Sequence, residues 1–255
     1  LYCDMELDEA VVRAFAISSE NKKVFPQTQK MWTNNVAIVD MLRPCRNEDD
    51  YALICELFQQ FNYNIIDGAR CYDLLCEMAM VIKKNETEGE HTALCVMRTK
   101  NDKDADGSQT VINELKMAMA MTVDFMYTYS AVCFEDIHGL YNKKGYRHFI
   151  VVDDFIGSGK TVEARYNHFQ KLRLEGATIS FYFLAGMAKG ISYCKNRKIP
   201  VYCCQIMHKG ISGHYKKEEL LKRMWSMRYL ESQLGKKSGE TTLNDNSWGY
   251  GHTEA

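Results

Sequence analysis

Residues 148–162 read HFIVVDDFIGSGKTV, and the interpretation of the whole chain turns on them. The stretch contains GSGKT, the closing half of a nucleotide-triphosphate loop. That loop requires G-x-x-x-x-G-K-[ST], with glycines where the backbone must wrap phosphate and a lysine that reaches it. Gly159, Lys160 and Thr161 supply the end, but the first glycine's position is held by Asp154. A carboxylate there would turn negative charge toward the phosphates, and no convincing second acidic strand for Mg²⁺ follows. The triphosphate reading fails at its first position.

A reading that keeps the aspartates fits better. A buried strand, two acidic residues and a small-residue turn opening a helix suit a ribose 5-phosphate. Backbone N–H groups at 157–161 would face the phosphate, helped by the helix start and by the Ser158 and Thr161 hydroxyls. Asp153 and Asp154 would accept hydrogen bonds from the sugar's 2- and 3-hydroxyls. One short stretch then serves both ends of a pentose.

Working outward, HTALCVMRT, FIVVDD, TISFYFLA and PVYCCQIM read as four apolar strands. Helical stretches at roughly 110–121, 160–174 and 188–196 separate them, with Gly176 fitting the stop of the second. Apolar strands alternating with helices imply βαβ units and a parallel sheet. Ligands in such sheets bind beyond the carboxyl ends of strands. The loops after Thr99 and after Asp154 are therefore the places to look. Within the first, DKDADG (Asp102 to Gly107) imitates the opening of a calcium loop. Its required glutamate position is Asn113, with Glu114 one place late, and a strand rather than a helix precedes it. A solvated acidic loop is the better description.

Residues 1–90 read as helical, from Val36, Val39 and Leu42, from Tyr51, Leu53, Ile54, Leu57 and Phe61, and from Leu74, Leu75, Met78 and Val81. Asn47-Glu48-Asp49-Asp50 places acidic groups at a helix start, as the macrodipole favours. The tail from about 211 holds an amphipathic helix with Leu220, Leu221, Met224, Met227 and Leu230 on one face. Lys216, Lys217, Lys222, Arg223 and Arg228 occupy much of the other. A solvated face is the ordinary reading of these cations, and nucleic-acid contact is the sharper one. Residues 235–247 read as a polar loop, and the methionines at 117–121 as core.

The net charge of −1 points to no particular partner. No run of about 18 apolar residues exists, which excludes a spanning helix. The start, LYCDMELDEA, is acidic and lacks a secretory pattern, and its leading Leu suggests a trimmed chain. Ten cysteines without a CxxC pair, several inside apolar runs such as those of Cys55, Cys76, Cys95 and Cys203, read as reduced core residues. A cytoplasmic setting is expected. His138, His148, His208 and His214 have no spacing that marks them as acid or base.

FIVVDDFIGSGKT resembles the signature of type I phosphoribosyltransferases: four apolar residues, Asp/Glu-Asp, two apolar residues, then a small Thr/Ser/Gly loop. Phe155 and Gly157 depart from the commonest choices. The variant VDDFIGSGKT is more similar to divergent phosphoribosyltransferase-like proteins associated with prokaryotic conflict and anti-phage systems, including retron operons. WGYGHTEA, at 248–255, resembles the start of that group's C-terminal motif. The resemblance covers about 91–210. It implies an α/β fold: a mostly parallel, type I phosphoribosyltransferase-like core at 91–210, an N-terminal helical region at 1–90, and a helical tail at 211–255.

The donor implied is phosphoribosyl pyrophosphate with Mg²⁺. Asp153 and Asp154 would be the catalytic pair, holding the ribose hydroxyls directly or through metal-bound water. Gly157, Ser158, Gly159, Lys160 and Thr161 would hold the 5-phosphate. Arg98, Lys100 and Lys103 are the cations available for pyrophosphate, though loop cations are usually merely solvated. Partners implied are the reverse transcriptase or ATPase of a retron-type operon; self-assembly stays open. Two functions follow: a phosphoribosyl-transferring enzyme acting in anti-phage defence, or a non-catalytic module on the same fold that senses a nucleotide or binds nucleic acid or a partner.

Overall fold

The four apolar runs become parallel strands, and a fifth, shorter strand joins them. The computed structural model describes residues 13, 14, 16, 17, 35–64, 66–100, 107–125, 127, 129–131, 133–233, 237, 238, 241 and 242. In chain order the elements are α1 (Asn35–Leu42), α2 (Glu48–Asn64), α3 (Gly68–Asn85), β1 (Thr92–Val96), α4 (Gly107–Thr122), β2 (Tyr129–Ala131), α5 (Asp136–Lys144), β3 (His148–Ile156), α6 (Lys160–Lys171), β4 (Thr178–Met187), α7 (Ala188–Asn196), β5 (Val201–Met207) and α8 (Lys217–Gln233). Two-residue strands β6 (Lys237–Ser238) and β7 (Thr241–Thr242) pair antiparallel inside the stretch expected to be loop.

By contact the chain divides into Leu1–Asp67 with Lys209–Ala255, and Gly68–His208. The expected limits at 90 and 210 thus differ most at α3. That helix buries Leu74, Leu75, Met78, Ala79 and Ile82 and packs on α4, β4 and β5, so it belongs with the sheet.

In the sheet unit the strand order is β2-β1-β3-β4-β5, every pair parallel. Helices α3 and α4 cover one face. On the other, Ile137 and Leu140 of α5, Val162 and Phe169 of α6, and Ile191 and Cys194 of α7 join Phe149, Val151, Phe181 and Phe183 in one core. The order reverses between β1 and β3, which makes the carboxyl ends of those two strands the switch point where such folds bind ligands. The sheet is therefore α/β and parallel as expected, with β2 and α5 as additions.

Four local expectations are corrected. Helix α6 ends at Lys171, because the chain turns at Leu172 and Arg173, whose φ is 48°. Gly176, at φ 69°, serves the next turn into β4 rather than the helix stop. Of the methionines at 117–121, Met119 is buried but Met117 and Met121 are 61% and 76% exposed, since α4 is two-faced. Among the described residues no helix is long and apolar enough to cross a membrane.

The helical unit has its own core: Leu42, Leu53, Ile54, Ile211 and Leu230, with Leu220, Met224 and Met227 partly buried against it. The fourth correction lies here, because α8 does not divide as its pattern suggests. Leu221 is exposed, whereas Arg223 is buried and bonds Glu56 at 3.1 Å, Glu219 at 2.9 Å and the Asp49 carbonyl at 3.1 Å. One cation of the supposed basic face is thereby neutralised inside the protein.

Helix α2 begins as its acidic start suggests: the Asn47 side chain accepts the Asp50 amide at 3.0 Å. Asp50 itself is fully buried and paired with Arg46, whose Nε lies 2.9 Å away and whose guanidinium stacks 3.6 Å over Tyr229. Burial pushes the Asp50 carboxyl up, but the Arg46 side chain, the Ser226 hydroxyl and the Arg46 amide together hold it below the usual range. A depressed folded value means the pair stabilises above the unfolded carboxyl's pKa of about 3.9, and that contribution is lost as pH falls through the folded value. Circular dichroism during acid titration is expected to show helix loss below about pH 4. Asp50→Asn should cost about 2–4 kcal/mol at neutral pH and flatten that acid limb.

Candidate functional site

Strand β3 is paired on both sides only as far as Val152, which faces Val96 of β1. Pairing with β4 continues to Ile156, opposite Gly186. Asp153 to Ile156 therefore extend past the end of β1, with backbone neighbours on one side alone. The strand is longer than FIVVDD, and the turn that follows is only three residues, 157–159, before α6 begins at Lys160. Asp153 is half-buried, and Asp154 and Phe155 are exposed.

Successive strand side chains alternate, so the two carboxylates open toward opposite faces at the strand end. The Asp154 amide donates to Asp153 Oδ1 at 3.0 Å, which fixes the first carboxylate. The Asp154 carboxylate lies against the backbone of Gly107, the first residue of α4.

The turn is shaped by glycines. Gly159 caps α6 at φ 80°, a left-handed conformation that other residues adopt at a cost. A Cβ on Gly159 would stand 2.8 Å from the Gly190 carbonyl oxygen and 3.0 Å from Cys194 Sγ. A Cβ on Gly190, inside α7, would stand 2.2 Å from the Gly157 carbonyl oxygen. Turn and helix thus interlock backbone to backbone, and the Cys194 thiol donates to the Gly159 carbonyl at 3.7 Å. Burial pushes that thiol up to about 11, so it stays protonated and unreactive at neutral pH.

Behind the turn, Glu163 accepts from Tyr193 Oη at 2.6 Å and from Arg197 Nε at 2.7 Å. Tyr193 and then Arg197 hold its carboxyl below the ordinary range. This network ties the first turn of α6 to α7.

The turn's polar groups remain open. Among the described residues, the amides of Gly157, Ser158, Gly159 and Thr161 have no hydrogen-bond acceptor, and the Lys160 amide has only a long 3.5 Å contact to Ser158 Oγ. The first amides of a helix lack intrahelical partners, and a turn that adds more of them is a cradle for an anion. The Lys160 and Thr161 side chains are exposed beside it.

The loop after β1 is anchored by its carbonyls. Arg165 Nε donates to Met97 O at 3.3 Å, and the Phe134 amide donates to Arg98 O at 2.7 Å. Arg98 is half-buried. Lys100 is exposed, its ammonium 3.5 Å from Asp136 Oδ1 and its amide 3.2 Å from Glu135 Oε2. Lys103 lies outside the described residues. The structure thus brings Asp153, Asp154 and residues 157–161 together at the end of β3, while Lys100 is turned to the acidic start of α5. Gly107, Gly190, Cys194 and Glu163 were not legible as site residues, because each acts through a partner distant in sequence.

Gly190 needs no left-handed backbone, so its only requirement is room. Gly190→Ala is expected to destabilise by about 1–3 kcal/mol, although alanine is the better helix former, and to weaken anion binding at the turn. Thermal denaturation and phosphate titration by calorimetry would check both effects.

A family model described as PRTase-CE matches residues 78–255. A search of curated proteins finds no match. Similar solved structures include a hypoxanthine-guanine-xanthine phosphoribosyltransferase, 19% identical over 54% of this chain and 73% of that one, with a TM-score of 0.37. Another is the HGPRT-ase of Leishmania tarentolae in complex with GMP, 16% identical over 55% and 78%, with a TM-score of 0.38. A third is the orotate phosphoribosyltransferase of Mycobacterium tuberculosis in complex with 5-phospho-alpha-D-ribosyl 1-diphosphate, 8% identical over 63% and 90%, with a TM-score of 0.36.

Proposed function

Because the chain belongs to the PRTase-CE family, whose model spans 78–255, we propose that it binds phosphoribosyl pyrophosphate or a related ribose 5-phosphate and transfers the phosphoribosyl group. The observation that carries the reading is the run of amides at 157–161, four of them without an acceptor among the described residues, directly beyond two carboxylates that overhang the end of β1. The amides and Lys160 would hold the 5-phosphate. Asp153 and Asp154 would accept hydrogen bonds from the ribose hydroxyls.

In the transfer itself, the bond from C1 to the pyrophosphate oxygen breaks and its electron pair leaves with pyrophosphate. The acceptor's nucleophilic atom bonds to C1 and sheds a proton. Positive charge develops on the sugar meanwhile, and carboxylates held beside it stabilise that charge without reorganising. Asp153 is pre-set for this by the Asp154 amide.

The donor set suits Mg²⁺. This cation is ordinarily bound through one or two carboxylates and the oxygens of a substrate phosphate, and Asp153, Asp154 and the donor would together offer those oxygens. Asp153 and Asp154 would reach it indirectly, through the ribose hydroxyls or water, and it would supply neutralising charge to the pyrophosphate.

One observation favours a second reading, a binding module without turnover. The ammonium of Lys100, a cation expected for the leaving group, lies 3.5 Å from Asp136 Oδ1 at the acidic start of α5. The role in anti-phage defence, with retron-type protein partners, rests on the VDDFIGSGKT variant and its resemblance.

Release of pyrophosphate from labelled phosphoribosyl pyrophosphate, with Mg²⁺ and a panel of bases and nucleotides, is the test. Asp153→Asn is expected to lower turnover about 10²-fold or more. Ligand binding that requires Asp153 while no pyrophosphate appears would select the second reading. ATP binding lost with Lys160→Ala, yet indifferent to both aspartates, would overturn both.

A further inference from the structure

Gly107 opens α4 without any left-handed requirement on its backbone, so its conformation does not call for glycine. Glycine is also among the poorest residues for a helix. Space accounts for it. A Cβ there would stand 2.1 Å from Asp154 Oδ2, 2.4 Å from its Cγ and 2.9 Å from its Oδ1. No real carbon approaches a carboxylate so closely. The Asp154 carboxylate can occupy its place only because residue 107 has no side chain.

The contact joins two segments that the proposed function keeps distinct. Asp154 stands on the overhang of β3, while Gly107 ends the connection from β1, whose Arg98 and Lys100 are the expected leaving-group cations. Asp154 is a short side chain on a paired strand, so a methyl at 107 would be met by rotation of its carboxylate rather than by movement of the sheet. The geometry points to Gly107 as a positioning residue for Asp154, setting where that carboxylate meets the sugar and coupling it to the start of α4. The sugar contact rests on the ribose 5-phosphate reading; the positioning does not.

Three proteins carry the test: Gly107→Ala, Asp154→Ala and the double variant. Phosphoribosyl pyrophosphate with Mg²⁺ is titrated into each by calorimetry. Gly107→Ala is expected to weaken binding about tenfold or more while leaving Tm at or above that of the parent. In the Asp154→Ala background the same substitution should change affinity less than twofold, since it acts through Asp154. Where the parent binds phosphoribosyl pyrophosphate, equal weakening in both backgrounds, or no weakening in either, overturns the proposal. A readout free of the ligand is the side-chain carboxyl resonance of Asp154 in protein labelled with [¹³C]aspartate, assigned with Asp154→Asn. Gly107→Ala should shift that resonance. An unchanged resonance overturns the positioning role whether or not phosphoribosyl pyrophosphate binds, and a shifted one upholds it even where the parent binds no such ligand.

Discussion

The unequal pairing of β3 is the constraint from which the rest follows. Through Val152 the strand lies between two parallel neighbours, and from Phe149 to Val152 its side chains are buried on both faces. Beyond that residue only β4 remains alongside. Continued pairing with β4 keeps the backbone of 153–156 extended, although the β1 pairing has ended. A chain in that position can carry polar residues beyond the buried sheet without losing the order that a sheet confers. Both aspartates stand on this overhang, and the turn begins where the overhang ends.

Charge at the site is arranged economically. The turn offers amides rather than a cluster of cations, and its one lysine is exposed at the start of α6. Neutral donors fixed by backbone geometry hold a phosphate without the desolvation cost of buried charge. The acidic side is disposed differently. Asp153 is held by an amide, Asp154 rests on a glycine, and Glu163 is occupied behind the turn by Tyr193 and Arg197. Glu163 is thus engaged by Tyr193 and Arg197 and tightens the frame behind the turn.

The sheet was legible because four strands are long apolar runs between helical stretches, a pattern few other folds produce. β2 escaped because Tyr129–Ala131 is three residues long in a Tyr- and Thr-rich stretch. α5 escaped because Asp136–Lys144 buries only Ile137 and Leu140. Arg223 was read as solvated because a charged residue on a polar face normally is, yet Glu56 and Glu219 draw it inward. In the site, the turn and its aspartates could be read locally. The glycines that back them could not, since a glycine's reason for being one is often another segment's backbone. Nor does the pattern of α4 reveal that Met117 and Met121 stay outside.

The interlock of Gly157 and Gly159 with Gly190 also bears on the order of events during synthesis. The turn belongs to the β3–α6 unit, and Gly190 to the β4–α7 unit that follows it. Parallel strands pair only after their crossover is made, so a nascent chain that has reached α6 holds the turn's residues but not the surface that shapes them. The anion binding proposed for the turn should therefore emerge late, as one cooperative gain once α7 has left the ribosome and docked, and partial chains ending before it should be blind to the ligand.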